Sequence, residues 1–243
     1  HLMAADRWGK AKEAVTVLDK VYQKQGWVRA RVEFFESVIG RGWSEVERAF
    51  VLHRSASALE DAGRFDDAER HVCETIAICE RLGMIPELGS ALHGWANVLV
   101  RKGKYLEAEQ AYRRCILIHD ESSSGQEHAD DAAVLHGLAI VLMKLGRYGA
   151  AEEVQERVLA IQMRLFQTRE HADFAASLIL LAQIMMRRER YEAAEQTYRE
   201  ALSIWNTLGN PGDHPLVATG LSGLAAVLGR QGKHRDAEQI HRE

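Results

Sequence analysis

Apolar residues recur along this chain at helical spacing, and the spacing itself recurs. Leu52, Leu92, Leu135, Leu178 and Leu221 form one column. Four residues after each stands an alanine: Ala56, Ala96, Ala139, Ala182 and Ala225. Three further on lie Leu59, Leu99, Leu142, Met185 and Leu228. A stripe at i, i+4 and i+7 is one face of an α-helix. A second alanine column, Ala68, Ala108, Ala151, Ala194 and Ala237, opens another helix. That helix continues through Ile76, Ile116, Leu159 and Leu202, then Ile78, Ile118, Ile161 and Ile204. Between the two stripes sits a short motif, seen as Gly63-Arg-Phe-Asp-Asp-Ala-Glu69, Gly103-Lys-Tyr-Leu-Glu-Ala-Glu109 and Gly146-Arg-Tyr-Gly-Ala-Ala-Glu152. It returns as Glu189-Arg-Tyr-Glu-Ala-Ala-Glu195 and Gly232-Lys-His-Arg-Asp-Ala-Glu238. Its ring position falls at Phe65, Tyr105, Tyr148, Tyr191 and His234, in steps of 40, 43, 43 and 43 residues. Five copies at a near-fixed period predict a repeat architecture.

The small residues have a physical reason. Two antiparallel helices joined by a tight turn approach closely only where a small side chain sits at the crossing. Glycine between them supplies the left-handed residue that ends the first helix. The fourth repeat has Glu189 there, at a cost of roughly 1 kcal/mol if that residue keeps a positive φ. Ser44 and Glu47 have the spacing of a capping box, and Pro86 and Pro215 suit a first helical turn. The pattern predicts helix pairs over 45–62 with 65–82, 86–102 with 105–121, and 129–145 with 148–166. Two more follow over 171–188 with 191–208, and 215–231 with 234 to the end, the last pair incomplete. Residues 45–243 therefore divide into repeats at 45–84, 85–126, 127–169, 170–212 and 213–243. Upstream, a helix from about Trp8 to Tyr22 and a shorter amphipathic stretch, Val28 to Ile39, make residues 1–44 a degenerate first repeat or a cap for the apolar end of the stack.

Composition adds little specificity but excludes several classes. The 243 residues carry a formal charge of −4, with 47% apolar and 27% charged residues. No Lys/Arg-rich block points to nucleic acid or an anionic membrane. No run of 18 apolar residues predicts a membrane span. The start, His1-Leu2-Met3, lacks the apolar core of a signal peptide and reads as a cloning remnant, so the sequence is expected to be a piece of a longer chain. Cys73, Cys79 and Cys115 are too few and too irregular for a disulfide framework or a zinc site. They read as three buried thiols in a reducing compartment, which points to the cytoplasm.

The pattern of small and large residues resembles the tetratricopeptide repeat, and its period of about 42 resembles the kinesin light chain branch of that family. Stretches such as His214-Pro-Leu-Val-Ala and Gly103-Lys-Tyr carry the likeness, which covers residues 45 to 243. It implies an all-α, right-handed solenoid of stacked helical hairpins whose first helices line a concave groove for a partner's segment. Where light chains carry paired asparagines, this chain reads His93-Gly94, His136-Gly137 and Ile179-Leu180, so light-chain cargo specificity is not implied.

If the leucine and alanine columns pack inside, four positions per first helix should face the groove. Three before the alanine stand His53, His93, His136, Ile179 and Ser222. One after it stand Ser57, Asn97, Ile140, Gln183 and Ala226. Four after give Glu60, Val100, Met143, Met186 and Gly229; five after give Asp61, Arg101, Lys144, Arg187 and Arg230. The last set is the sharpest signal, because four cations, one per repeat, would steer and hold an acidic segment. The same residues lie in the last turn of each first helix, where a cation also complements the helix dipole. The histidines at 53, 93 and 136 are expected as hydrogen-bonding groove residues, since stacked helices lie roughly 8–10 Å apart and zinc–nitrogen bonds are about 2 Å. Met143 and Met186 offer an adaptable apolar floor or fill the core. His128, His171 and His214, each just before a first helix, are expected to pack between hairpins.

No glycine-rich phosphate loop, Gly-x-Ser-x-Gly or His-Glu-x-x-His occurs. Asp66, Glu69, Glu109, Glu152 and Glu195 recur in the first turn of each second helix, where the dipole favours them. The expected function is a protein-interaction scaffold for an acidic or polar peptide segment, without catalysis, cofactor or metal. A sensor region of a larger signalling protein is the alternative, and self-association through bare solenoid ends is a further expectation.

Overall fold

In the computed structural model, which describes residues 2–122, 129–209 and 214–240, the periodic stripes become twelve α-helices among the described residues. They are α1 (Leu2–Lys24), α2 (Val28–Ile39), α3 (Glu45–Asp61), α4 (Phe65–Leu82), α5 (Ile85–Arg101) and α6 (Tyr105–Ser122). The remainder are α7 (Ala129–Lys144), α8 (Tyr148–Phe166), α9 (Ala172–Arg187), α10 (Tyr191–Thr207), α11 (Pro215–Arg230) and α12 (His234–Ile240). The chain divides into two compact units, His1–Ser122 and Ser123–Glu243.

Within each unit the hairpins pack side by side, each helix against its sequence neighbours. The column residues are the packing. Ala56, Ala96, Ala139, Ala182 and Ala225 are all buried, as are Leu59, Leu99, Leu142, Met185 and Leu228. The second alanine column is equally buried from Ala68 to Ala194. In the second unit the core runs from Phe174 through Tyr198 and Trp205 to Val227. In the first, Val15, Val32 and Phe35 of α1 and α2 join Val51, Leu59 and Val98 of the regular hairpins. The first 44 residues thus contribute apolar area to the same core.

Helix ends follow their local chemistry. Ser44 accepts from the Glu47 backbone N–H, and the Glu47 carboxylate accepts from that of Ser44, closing the capping box. The turn after α9 takes Glu189 to φ 61°, and the Arg190 N–H bonds the Met185 carbonyl at 3.0 Å. A glycine does the same in the other hairpins, at φ 68° to 78°.

Several expectations change. Cys79 and Cys115 are buried, but Cys73 is exposed, because it points away from the α4 face that meets the core. His171 and His214 do more than pack: each Nδ1 accepts the backbone N–H two residues on, at 3.2 Å, so each caps its helix. Their rings stack on Phe166 and Trp205 of the preceding hairpin, with centroids 3.7 and 4.4 Å apart. His128 lies outside the described residues.

Candidate functional site

In the first unit the candidate positions fall on α3 and α5. His53 and Ser57 line a cavity of about 480 Å³ with Trp8, Phe50 and Arg54. Part of its lining is a charge network that periodicity could not announce. Asp19, only 1% exposed, accepts from Arg31 Nε at 2.6 Å and from Arg54 Nη1 at 2.9 Å. Arg31, 2% exposed, also donates to Asp61 and, at 3.3 Å, to Ser57 Oγ. Buried charges persist only when paired and hydrogen-bonded like this. Burial holds the His53 pKa below that of a free histidine, helped by the positive charges of Arg54 and His93. His93 lies 6.0 Å from the Tyr112 ring, and Tyr112 O–H donates to Asn97 Oδ1 at 2.5 Å, so Asn97 is engaged from behind. Arg101 is exposed, its guanidinium 5.6 Å from the Phe65 ring. Nearby, burial and Asp61 raise the pKa of the Glu60 carboxyl, while Arg101 lowers it.

In the second unit, His136 lines a smaller cavity of about 290 Å³ between α7, α8 and α9. Burial lowers its pKa against the opposing effects of Gln155 and Asp173. Met143 and Gln183 are half-buried; Met186 is half-buried and packed on the core. Ile179 does not face a groove: it is buried, with Gly220 of α11 against its side chain. Lys144, Arg187 and Arg230 end α7, α9 and α11, all exposed.

The cations separate into two sets. Those at the hairpin turns are consumed. Lys102 reaches Asp66 and Glu69 at 2.5 Å, and Lys104 reaches Glu69 at 3.2 Å. Arg188 and Arg190 both donate to the buried Glu152, and Lys233 donates to Glu195 at 2.8 Å. Asp66, Glu69, Glu152 and Glu195 therefore clasp the turn of the following hairpin; all but Asp66 sit one turn further into their helices than expected, where the clasp and not the dipole is their role. Lys144, Arg187 and Arg230, at or one residue before those turns, make no ion pair among the described residues. The recurring acid-to-cation separations, 33 and 35, then 36 and 38, then 38, were a usable sequence signal for the clasps. Among the described residues no group of three or more His, Cys, Asp or Glu side chains converges as a metal site. No helix among them is long and apolar enough to cross a membrane.

Antiparallel helix pairs crossed on alanine and stacked on their neighbours define a helical-repeat protein, a class built as an interaction module. The chain belongs to the tetratricopeptide repeat family, whose model matches residues 87–164 and 173–243, more than half of its length. No curated protein matches the sequence. Among solved structures it is similar to a putative kinesin light chain of Podosopora anserina with nearly identical TPR-like repeats. That likeness has 24% identity over 81% of this chain and 95% of the other, with a TM-score of 0.69. BtubC (BKLC) of P. vanneervenii matches at 20% identity over 87% and 86%, with a TM-score of 0.73. NprR, solved in complex with its cognate peptide NprX, matches at 11% identity over 95% of this chain and 65% of that one, with a TM-score of 0.69. At these identities the likeness is one of fold, and kinesin light chain-type repeats are part of it.

Proposed function

We propose that this chain is a cytoplasmic, non-catalytic scaffold that holds a partner protein by an acidic segment laid along the ends of its first helices. One observation carries the reading. Lys144, Arg187 and Arg230 stand exposed and, among the described residues, without an ion pair, while the turn cations Arg188, Arg190 and Lys233 are tied to carboxylates. Helix-dipole compensation alone leaves such charges free in water, where they attract and orient an anionic segment. Arg101 occupies the same repeat position in the first unit.

The test is quantitative capture of partners from the source cell by the intact chain and by a form with Arg101→Glu, Lys144→Glu and Arg187→Glu, with helicity checked by circular dichroism. The expected result is loss of the acidic partner with helicity kept; equal recovery by both forms contradicts the reading. A sensor role, in which the repeats read a peptide for an attached effector, finds support in the fold likeness to NprR with its bound peptide. A full-length reading frame with an adjoining nucleotide-binding, DNA-binding or protease-like domain would favour it.

A further inference from the structure

We propose that the cavity between α7 and α9 seats a basic side chain, lysine or arginine, of the bound segment. This rests on the peptide-binding reading above and adds a position to its specificity. The walls are slim and apolar. Ala129, Ala132 and Ala133 of α7, with Ala176 of α9, leave the space open, and Leu165 and Phe166 of α8 close one side. Such walls suit the methylene stem of a long cationic residue.

Two of the polar lining groups are acceptors. Gln162 lines the cavity at 7% exposure; its Nε2–H donates to the Asp173 carbonyl at 3.4 Å, and its Oε1 has no partner. An amide oxygen can only accept. The Asp173 side chain adds a carboxylate, 3.7 Å from His171 Nδ1. Among the described lining residues there is no lysine or arginine. An occupant with N–H donors and a positive charge satisfies the buried Gln162 oxygen and is attracted by the Asp173 carboxylate, whereas a carboxylate or carbonyl leaves that oxygen unpaired and is repelled by both.

The arrangement recurs within the chain. At the same repeat positions the first-unit cavity is lined by His53 and Glu87, with Cys79 in place of Gln162. Lys12 and Arg54 also line that cavity, so the free acceptors are distinctive of the second unit.

The cavity also has a register with the exposed cations. Ala129, Ala133, His136, Ile140 and Lys144 follow one stripe of α7 in steps of three and four. Eight residues separate His136 from Lys144, about 12 Å along the helix at 1.5 Å per residue. An extended segment rises about 3.3 Å per residue and covers that distance in roughly four. The bound segment should therefore carry a basic and an acidic residue about four positions apart.

A random nonapeptide phage library panned against the full chain tests this. Peptides enriched on the native sequence should pair Lys or Arg with Asp or Glu about four positions away. Gln162→Leu and Asp173→Asn should cut the basic preference at least tenfold and keep the acidic one, while Gln162→Glu, of the same shape, should retain or sharpen it. Enrichment without a basic position, or a basic preference untouched by Gln162→Leu and Asp173→Asn, overturns the cavity proposal and leaves acidic binding standing. Absence of enrichment, or enrichment indifferent to Lys144→Glu with Arg187→Glu, overturns the peptide-binding reading and this proposal with it.

Discussion

Glu189 holds a left-handed conformation at φ 61° in a turn where the other regular hairpins use glycine. The side chain is exposed and gains no packing from its place. Glu189→Gly should therefore raise stability by about 1 kcal/mol, read from urea midpoints, and an unchanged or lower midpoint contradicts the strain. The position was plain in the sequence, because the motif shows glycine everywhere else. Titration is a second matter of single residues. His53, His71 and His136 have pKa values lowered mainly by burial, so the native state binds fewer protons than the unfolded chain. Stability is then complete above the unfolded value of about 6.5 and falls as pH drops through it. Asp66, Asp67, Glu69 and Glu195, held low chiefly by hydrogen bonds from cations, add a further loss in the acid range. Urea unfolding at pH 7.5, 6.5 and 5.5 should show steadily weaker folding, and a flat or rising profile would refute the buried neutral histidines. None of these shifts was legible in the sequence, since burial and neighbours appear only once helices pack.

At the scale of helices, stacking depends on what one hairpin leaves open for the next. Tyr198 of α10 is fully buried, and a Cβ added at Gly223 of α11 would lie 2.4 Å from its hydroxyl oxygen. The hydroxyl has no partner among the described residues, and burial pushes its pKa up to about 12. Gly223→Ala should cost about 1–3 kcal/mol by overpacking. Tyr198→Phe should be close to neutral alone and should recover part of that loss in combination. A thermal-melt cycle on the four forms checks this; a harmless Gly223→Ala would contradict the close approach. The clasps act between the same elements. Glu152 is 3% exposed and takes both Arg188 and Arg190, so Glu152→Ala should destabilise by about 1–2 kcal/mol, the freed arginines still reaching water. Most helix bounds followed from the stripes within a residue or two, because an alanine crossing and a glycine turn are local signals. Longer reach was illegible. The helix expected from about Trp8 to Tyr22 runs Leu2–Lys24, and Arg31 in the stretch after it pairs with Asp19, Asp61 and Ser57, partners set by tertiary contact alone.

For the molecule as a whole, a formal charge of −4 conceals an uneven distribution. Glu69, Glu152 and Glu195 neutralise turn cations, while Lys144, Arg187 and Arg230 face water without an ion pair among the described residues. That division, not the net charge, supports an acidic partner, and it emerges only when the ion pairs are known. The helical-repeat class and the candidate columns were visible in the sequence; the cavities, whose linings come from three or more helices, were not. The most direct measurement is fluorescence anisotropy of a labelled glutamate-rich peptide titrated with the full chain at several salt concentrations. Exposed pairs are worth roughly 0.2–1 kcal/mol each, so reversing Lys144, Arg187 and Arg230 to glutamate should weaken binding at least about tenfold and flatten its salt dependence. Equal affinity and equal salt dependence in the native and reversed chains would contradict a binding role for these cations.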